Sequence, residues 1–83
     1  MEKIIKKFGE LADIESGISG YVITYHGNKF SLTKDNNGII FSKLDNESTY
    51  DFPEVSLHID DIQIYNDKII CVKNNDEICT IWT

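Results

Sequence analysis

The chain has 83 residues, of which 41% are hydrophobic and 27% charged, a balance that specifies one folded domain over residues 1–83 and argues against disorder. Fourteen Asp and Glu stand against eight Lys for a net charge of −6, and arginine is absent. Without arginine's planar fork, which supplies bidentate contacts to phosphate and guanine, direct nucleic-acid binding is not expected.

No apolar run reaches the ~18 residues of a membrane span, and the start MEKIIKKFGELADIE lacks the apolar core and cleavage site of a secretion signal. The expected location is therefore cytoplasmic, with no membrane contact. Charge is uneven along the chain. Residues 1–34 hold five Lys and four acids, whereas residues 35–77 hold three Lys and ten acids, a net −7 in the second part.

In chain order, the first element expected is a helix, because Ile4, Ile5, Phe8, Leu11 and Ala12 recur at helical spacing on one face. Glu2, Lys3, Lys6, Glu10 and Asp13 take the other face, and Ser16-Gly17 with Gly20 is read as its stop. From Gly20 the pattern changes to strands. GYVITY alternates, HGN can reverse the chain into KFSLTK, and DNNG at 35–38 is a turn signal that leads into IIFSKL. DNESTYDFPE, residues 45–54, is polar and contains the only proline; it reads as a loop with a short edge strand at Thr49–Phe52. EVSLHI, IQIY, KIICVK and EICTIW follow as strands, separated by DD, ND and NND.

The fold class predicted is α+β: one N-terminal helix packed on a bent antiparallel β-meander of five to seven strands, as an open sheet or a small barrel. No long crossover helix exists to join parallel strands, which excludes doubly wound nucleotide-binding folds.

In SLHIDDIQIY, Val55, Leu57 and Ile59 point to one face and Ser56, His58 and Asp60 to the other. Ile62 and Ile64 have the opposite parity from Ile59, so Asp60-Asp61 is expected to be a bulge or tight turn that resets the register. The competing reading has His58, Asp60 and Glu54 holding a divalent cation or forming an acid-base pair. The parity change accounts for the residues without it, and no metal or cofactor is expected. His26, beside Gly27, is expected to face water in a turn.

Cys71 and Cys79 flank Asn74-Asn75-Asp76, and a three-residue turn there would bring them face to face. A disulfide is then geometrically allowed, but a cytosolic pair is expected to stay reduced as two small buried hydrophobes. A structural zinc site would need a second Cys or His pair, which the chain lacks. There is no phosphate-binding glycine loop, no Gly-x-Ser-x-Gly elbow and no cysteine next to a histidine, so the chain is not expected to be an enzyme.

Tyr21, Tyr25, Tyr50, Phe52, Tyr65 and Trp82 divide between core and interface roles. Tyr50-Asp51-Phe52-Pro53-Glu54 sets aromatics among carboxylates, a mixture suited to a basic, partly apolar groove on another protein. At the level of class, this compact, acidic, arginine-free chain is similar to phage-encoded inhibitors of host defence and to toxin-neutralising immunity proteins. Such proteins often cover a basic nucleic-acid site, where carboxylates imitate a phosphate row.

The function expected is thus a small acidic, non-catalytic protein-binding module that inhibits a partner by occupying its basic, nucleic-acid-binding surface. The residues expected to bind are Asp45, Glu47, Tyr50, Asp51, Phe52, Glu54, Asp60 and Asp61. The alternatives are a small-ligand or metal-binding β-barrel module and an accessory or structural subunit whose edge strands pair with copies of itself.

Overall fold

The computed structural model describes residues 1–44 and 53–83, with Pro53 and Glu54 as backbone. The fold is α+β. Among the described residues one helix, α1 (Glu2–Phe8), leads through a 3₁₀ turn (Gly9–Leu11) into eight strands. These are β1 (Asp13–Ser16), β2 (Gly20–Tyr25), β3 (Asn28–Asp35), β4 (Gly38–Leu44), β5 (Pro53–Ile59), β6 (Asp61–Ile64), β7 (Lys68–Lys73) and β8 (Asp76–Trp82).

All strand pairs are antiparallel, and they form two sheets rather than one: a five-stranded sheet ordered β1-β2-β3-β4-β5 and a three-stranded sheet ordered β6-β7-β8. Neither closes into a barrel. Inward residues of both meet in one apolar cluster, with Ile23, Tyr25, Phe30, Leu32, Phe41 and Ile59 from the larger sheet and Ile62, Ile69, Cys71 and Ile81 from the smaller. Ile4 and Phe8 of α1 complete it, both fully buried. Phe8 meets Tyr25 edge-on at 5.9 Å and stacks with Phe41 at 6.4 Å, geometries that favour aromatic pairs beyond the area they bury.

The helix is shorter than its apolar spacing suggests. It ends at Gly9, whose φ of 47° and ψ of −125° leave the helical region, a conformation that glycine takes without the Cβ penalty of other residues. Ala12 is extended, and Asp13 to Ser16 form β1 against β2 instead of a fourth helical turn. Leu11, expected on the buried stripe, is 64% exposed, whereas Ile14 packs against the core from β1, opposite Ile23. Gly17 and Gly20 accordingly belong to the β1–β2 turn, which the Gly17 amide closes on the Gly20 carbonyl at 2.7 Å.

The tight hairpins lie where their turn residues place them. His26 and Gly27 take φ of 50° and 74°, and Asn74 and Asn75 take 53° and 66°, the double positive φ that matches strand twist in two-residue hairpins. At Asp35–Gly38 the positive φ, 124°, falls on Gly38 alone, and the Asn37 amide donates to Asp35 Oδ1 at 2.8 Å. Pro53, assigned to a loop from its sequence, opens β5, a position where its missing N–H is tolerated. The expected edge strand at Thr49–Phe52 lies outside the described residues.

Asp60 does more than reset a register. β5 ends at Ile59 on the edge of one sheet, and β6 begins at Asp61 as the first strand of the other. The parity change between Ile59 and Ile62 thus marks the corner where the chain passes between sheets, pinned by the Asp60 amide on the Val72 carbonyl at 2.8 Å. Both isoleucines are buried, at 2% and 0% exposure.

Candidate functional site

Each polar side chain of SLHIDDIQIY has a partner within the fold. Ser56 shares a hydrogen bond with Ser42 across β4 and β5 at 3.0 Å. His58 faces Asp35, its Nε2 lying 3.1 Å from Oδ1 and 3.0 Å from Oδ2. The two belong to β5 and β3, with β4 between them, and the register explains the reach. His58 opposes Ile40 and Asp35 opposes Gly38, so the position between them has no side chain to block the imidazole. Hydrogen bonding to His58 is the main cause holding the Asp35 carboxyl below its usual range, with the Asn37 amide adding to it.

Asp60 Oδ2 accepts from the Asn74 amide at 2.6 Å, fastening the β7–β8 turn to the corner between the sheets. Asp61 receives Lys7 Nζ at 2.9 Å, Lys3 Nζ at 3.1 Å and the Ile62 amide at 2.8 Å. Burial pushes its pKa up, but the hydrogen bonds from Lys7, Ile62 and Lys3 outweigh this and hold the carboxyl below the usual range. Lys7 also donates to the Ile62 carbonyl at 2.8 Å. α1 therefore covers the edge of β6 that β7 leaves open, with Asp61 anchoring its lysines.

These contacts gather three separate segments at one end of the molecule. The β3–β4 turn lies beside the end of β5 through the Ile39–Ile59 pairing and the His58–Asp35 contact. The β7–β8 turn joins through Asp60. Asp35, Asp60, Asp61, Asp76 and Glu77 share this end. Lys3 and Lys7 neutralise Asp61 and His58 covers Asp35, so Asp60, Asp76 and Glu77, all exposed, supply the outward carboxylates, with Lys73 opposite Asp76 as the cation among them.

Of the residues expected to bind a partner, Asp60 and Asp61 lie at this acidic end, and Glu54 belongs to β5. Asp45, Glu47, Tyr50, Asp51 and Phe52 lie outside the described residues. Asp35, Asp76 and Glu77 were missed as members of the group because they are distant in sequence. Only the pairing of β5 with β4 and the tie from Asp60 to Asn74 unite them.

Among the described residues no group of three or more His, Cys, Asp or Glu could hold a metal ion. A recess of about 150 Å³ is lined by Gly17, Ser19, Gly20, Tyr21, Val22, Ser31 and Thr33, below the roughly 300–1,000 Å³ of small-molecule sites. Cys71 and Cys79 do oppose each other, but through a two-residue turn followed by a register shift between Cys71 and Val72, not through a three-residue turn. Both are free thiols. Burial, with a smaller contribution from Cys79, raises the Cys71 pKa to about 12. His26 stacks on Tyr25 at 3.9 Å and is exposed in its turn.

Among the described residues no helix is long and apolar enough to cross a membrane. No family model, curated protein or solved structure matches the chain.

Proposed function

We propose that the chain is a small acidic protein-binding module that inhibits a partner by covering its basic, nucleic-acid-binding surface. One observation carries the reading: residues 35–77 concentrate ten carboxylates against three lysines, with no arginine in the chain. The acidic end supports it, since Asp60, Asp76 and Glu77 are displayed together on a frame fixed by backbone hydrogen bonds. Carboxylates held at fixed spacing can replace phosphates on a cationic groove, because both present oxygen acceptors to lysine and arginine. In this reading segment 45–54, which joins β4 to β5 at the Leu44–Pro53 end of that pair and not at the acidic end, supplies a second contact in which Tyr50 and Phe52 among Asp51 and Glu54 are the apolar anchors.

The test is capture on the immobilised chain at low and at raised salt, beside a variant carrying Asp51→Lys and Glu54→Lys. The expected result is a basic nucleic-acid-binding protein, released by salt and by competing DNA and not retained by the reversed variant. A partner held equally by both forms at high salt refutes the proposal and leaves the acidic surface a solubility feature.

A further inference from the structure

The free edge and outer face of β8 form a self-complementary surface, and we infer that it pairs with the β8 of a second copy of this chain. Cys79 and Ile81 face inward, so Thr80 and Trp82 stand on the outer face of this strand, and Ile78, the extra residue at the register shift between Glu77 and Cys79, is exposed beside them. Two of those three are large exposed hydrophobics, Ile78 at 45% and Trp82 at 64%. Tyr65 is exposed on the same sheet, and Lys68 Nζ lies between the rings of Tyr65 and Trp82, at 5.4 Å and 5.3 Å from their centroids.

Among the described residues β8 pairs with β7 alone. The Thr83 amide donates to the Asp67 carbonyl at 2.9 Å, on the β7 side. Alternation along an antiparallel strand then turns the N–H and C=O of Trp82 and Thr80 to the opposite edge.

Of the other strands at sheet margins, β1 and β6 carry devices that block addition of a further strand. β1 alternates Asp13 and Glu15, which would face like charges in a self-pair. The outer edge of β6 is covered by α1, with Lys7 on the Ile62 carbonyl. On β8 such devices occupy only the first part, where Asp76 and Glu77 precede the register shift. The bulge itself falls at Ile78, and the stretch Cys79–Trp82 has none.

Symmetry selects the register. An antiparallel pair of identical strands lies on a two-fold axis; axes through Cys79, Thr80 or Ile81 all keep outer residues opposite outer residues, and the axis through Thr80 is the one that sets the two exposed hydrophobics, Ile78 and Trp82, across from each other. Thr80 then opposes its own copy, and each Ile78 opposes the other chain's Trp82. Aromatic and β-branched residues directly opposite are among the favourable cross-strand pairs. The same register brings Glu77 of one copy beside the Lys68–Trp82 stack of the other, so opposite charges meet at both ends. The product is a continuous six-stranded sheet with a small interface, which places it among weak, concentration-dependent dimers.

Sedimentation equilibrium and light scattering from millimolar to micromolar protein test this. The expected weight-average mass rises with concentration toward twice the 9.5 kDa of the chain. Thr80→Lys and Thr80→Glu are each expected to remain monomeric, since each sets like charges opposite across the axis, and an equimolar mixture is expected to recover the doubled mass. Hydrogen exchange of the unmodified chain gives a readout independent of the variants, in which the Thr80 and Trp82 amides gain protection as protein concentration rises. A chain that stays monomeric at millimolar concentration overturns the inference. So does a dimer that survives Thr80→Lys, a mixture that fails to associate, or protection of these amides that ignores concentration. None of these readouts depends on the acidic end or on its partner.

Discussion

Replacing Gly20 by alanine probes the closest backbone approach at any of the five glycines. Gly20 opens β2 opposite Thr33 with φ of +154°, and a Cβ built there would lie 2.1 Å from the Leu32 carbonyl oxygen. Real Cβ contacts essentially never fall below 3.0 Å. The two strands must therefore separate by about 0.9 Å, the difference between 3.0 and 2.1, or the start of β2 must leave the sheet. The obstacle is backbone of β3, which β4 holds on its other side, so no side chain can swing aside.

Separation loses one or two hydrogen bonds, about 0.5–1.5 kcal/mol each, including the Gly17–Gly20 closure of the preceding turn. The left-handed backbone adds about 1–2 kcal/mol for a residue with a Cβ. Together these give a destabilisation of about 1.5–5 kcal/mol, or roughly 6–40 °C in melting temperature for a domain of this size. Gly27→Ala is the internal control. Its φ is +74°, but nothing lies within 4 Å of the added methyl, so only the backbone cost applies, about 1 kcal/mol. Thermal unfolding followed by circular dichroism, with urea midpoints in parallel, separates the two. If Gly20→Ala melts within the range of Gly27→Ala, the close approach of β2 and β3 is not as described and the reasoning fails.

Three further outcomes are expected. Phe8→Ala removes a ring packed on Tyr25 and Phe41 and should cost about 3–5 kcal/mol in urea unfolding; a loss under about 1 kcal/mol would mean that the helix is not part of the core. Asp35 and Asp61 both have lowered carboxyl pKa values in the folded chain, so the stability they supply is fully present above the unfolded value of about 3.8 and is lost as pH falls through the lower folded values. Asp61→Asn should therefore weaken the fold near neutral pH and flatten the acid limb of a stability-against-pH curve, and an unchanged limb would contradict the assignment. Cys71, with its pKa raised to about 12, should be almost wholly protonated at pH ~8 and react with Ellman's reagent only as the chain unfolds in urea; immediate modification of both thiols in the native chain would show that its burial is wrong.

What the sequence by itself determined is what depends on neighbours in the chain. The α+β class, the antiparallel strands from GYVITY onward and the turns at His26-Gly27 and Asn74-Asn75 follow from two-residue periodicity and from residues that tolerate positive φ. The parity change from Ile59 to Ile62 likewise located a backbone break, since side-chain alternation is a local property. Tertiary structure decided where local signals were ambiguous or spoke only across distance. Leu11, Ala12 and Ile14 suit a helix as well as a strand, and the opportunity for Ile14 to pair with Ile23 and reach the core turned residues 13–16 into β1. Nothing near Asp60 in sequence indicates that the chain there leaves one sheet for another. That follows from the amide of Asp60 reaching Val72 and its carboxylate reaching Asn74. His58 finds Asp35 rather than its neighbour Asp60 because Gly38 opens the space across β4, and Cys71 meets Cys79 because β8 carries a register shift beyond a two-residue turn. Each of these depends on which strands lie side by side, and strand order is set by the shared burial of distant residues, which no local window contains.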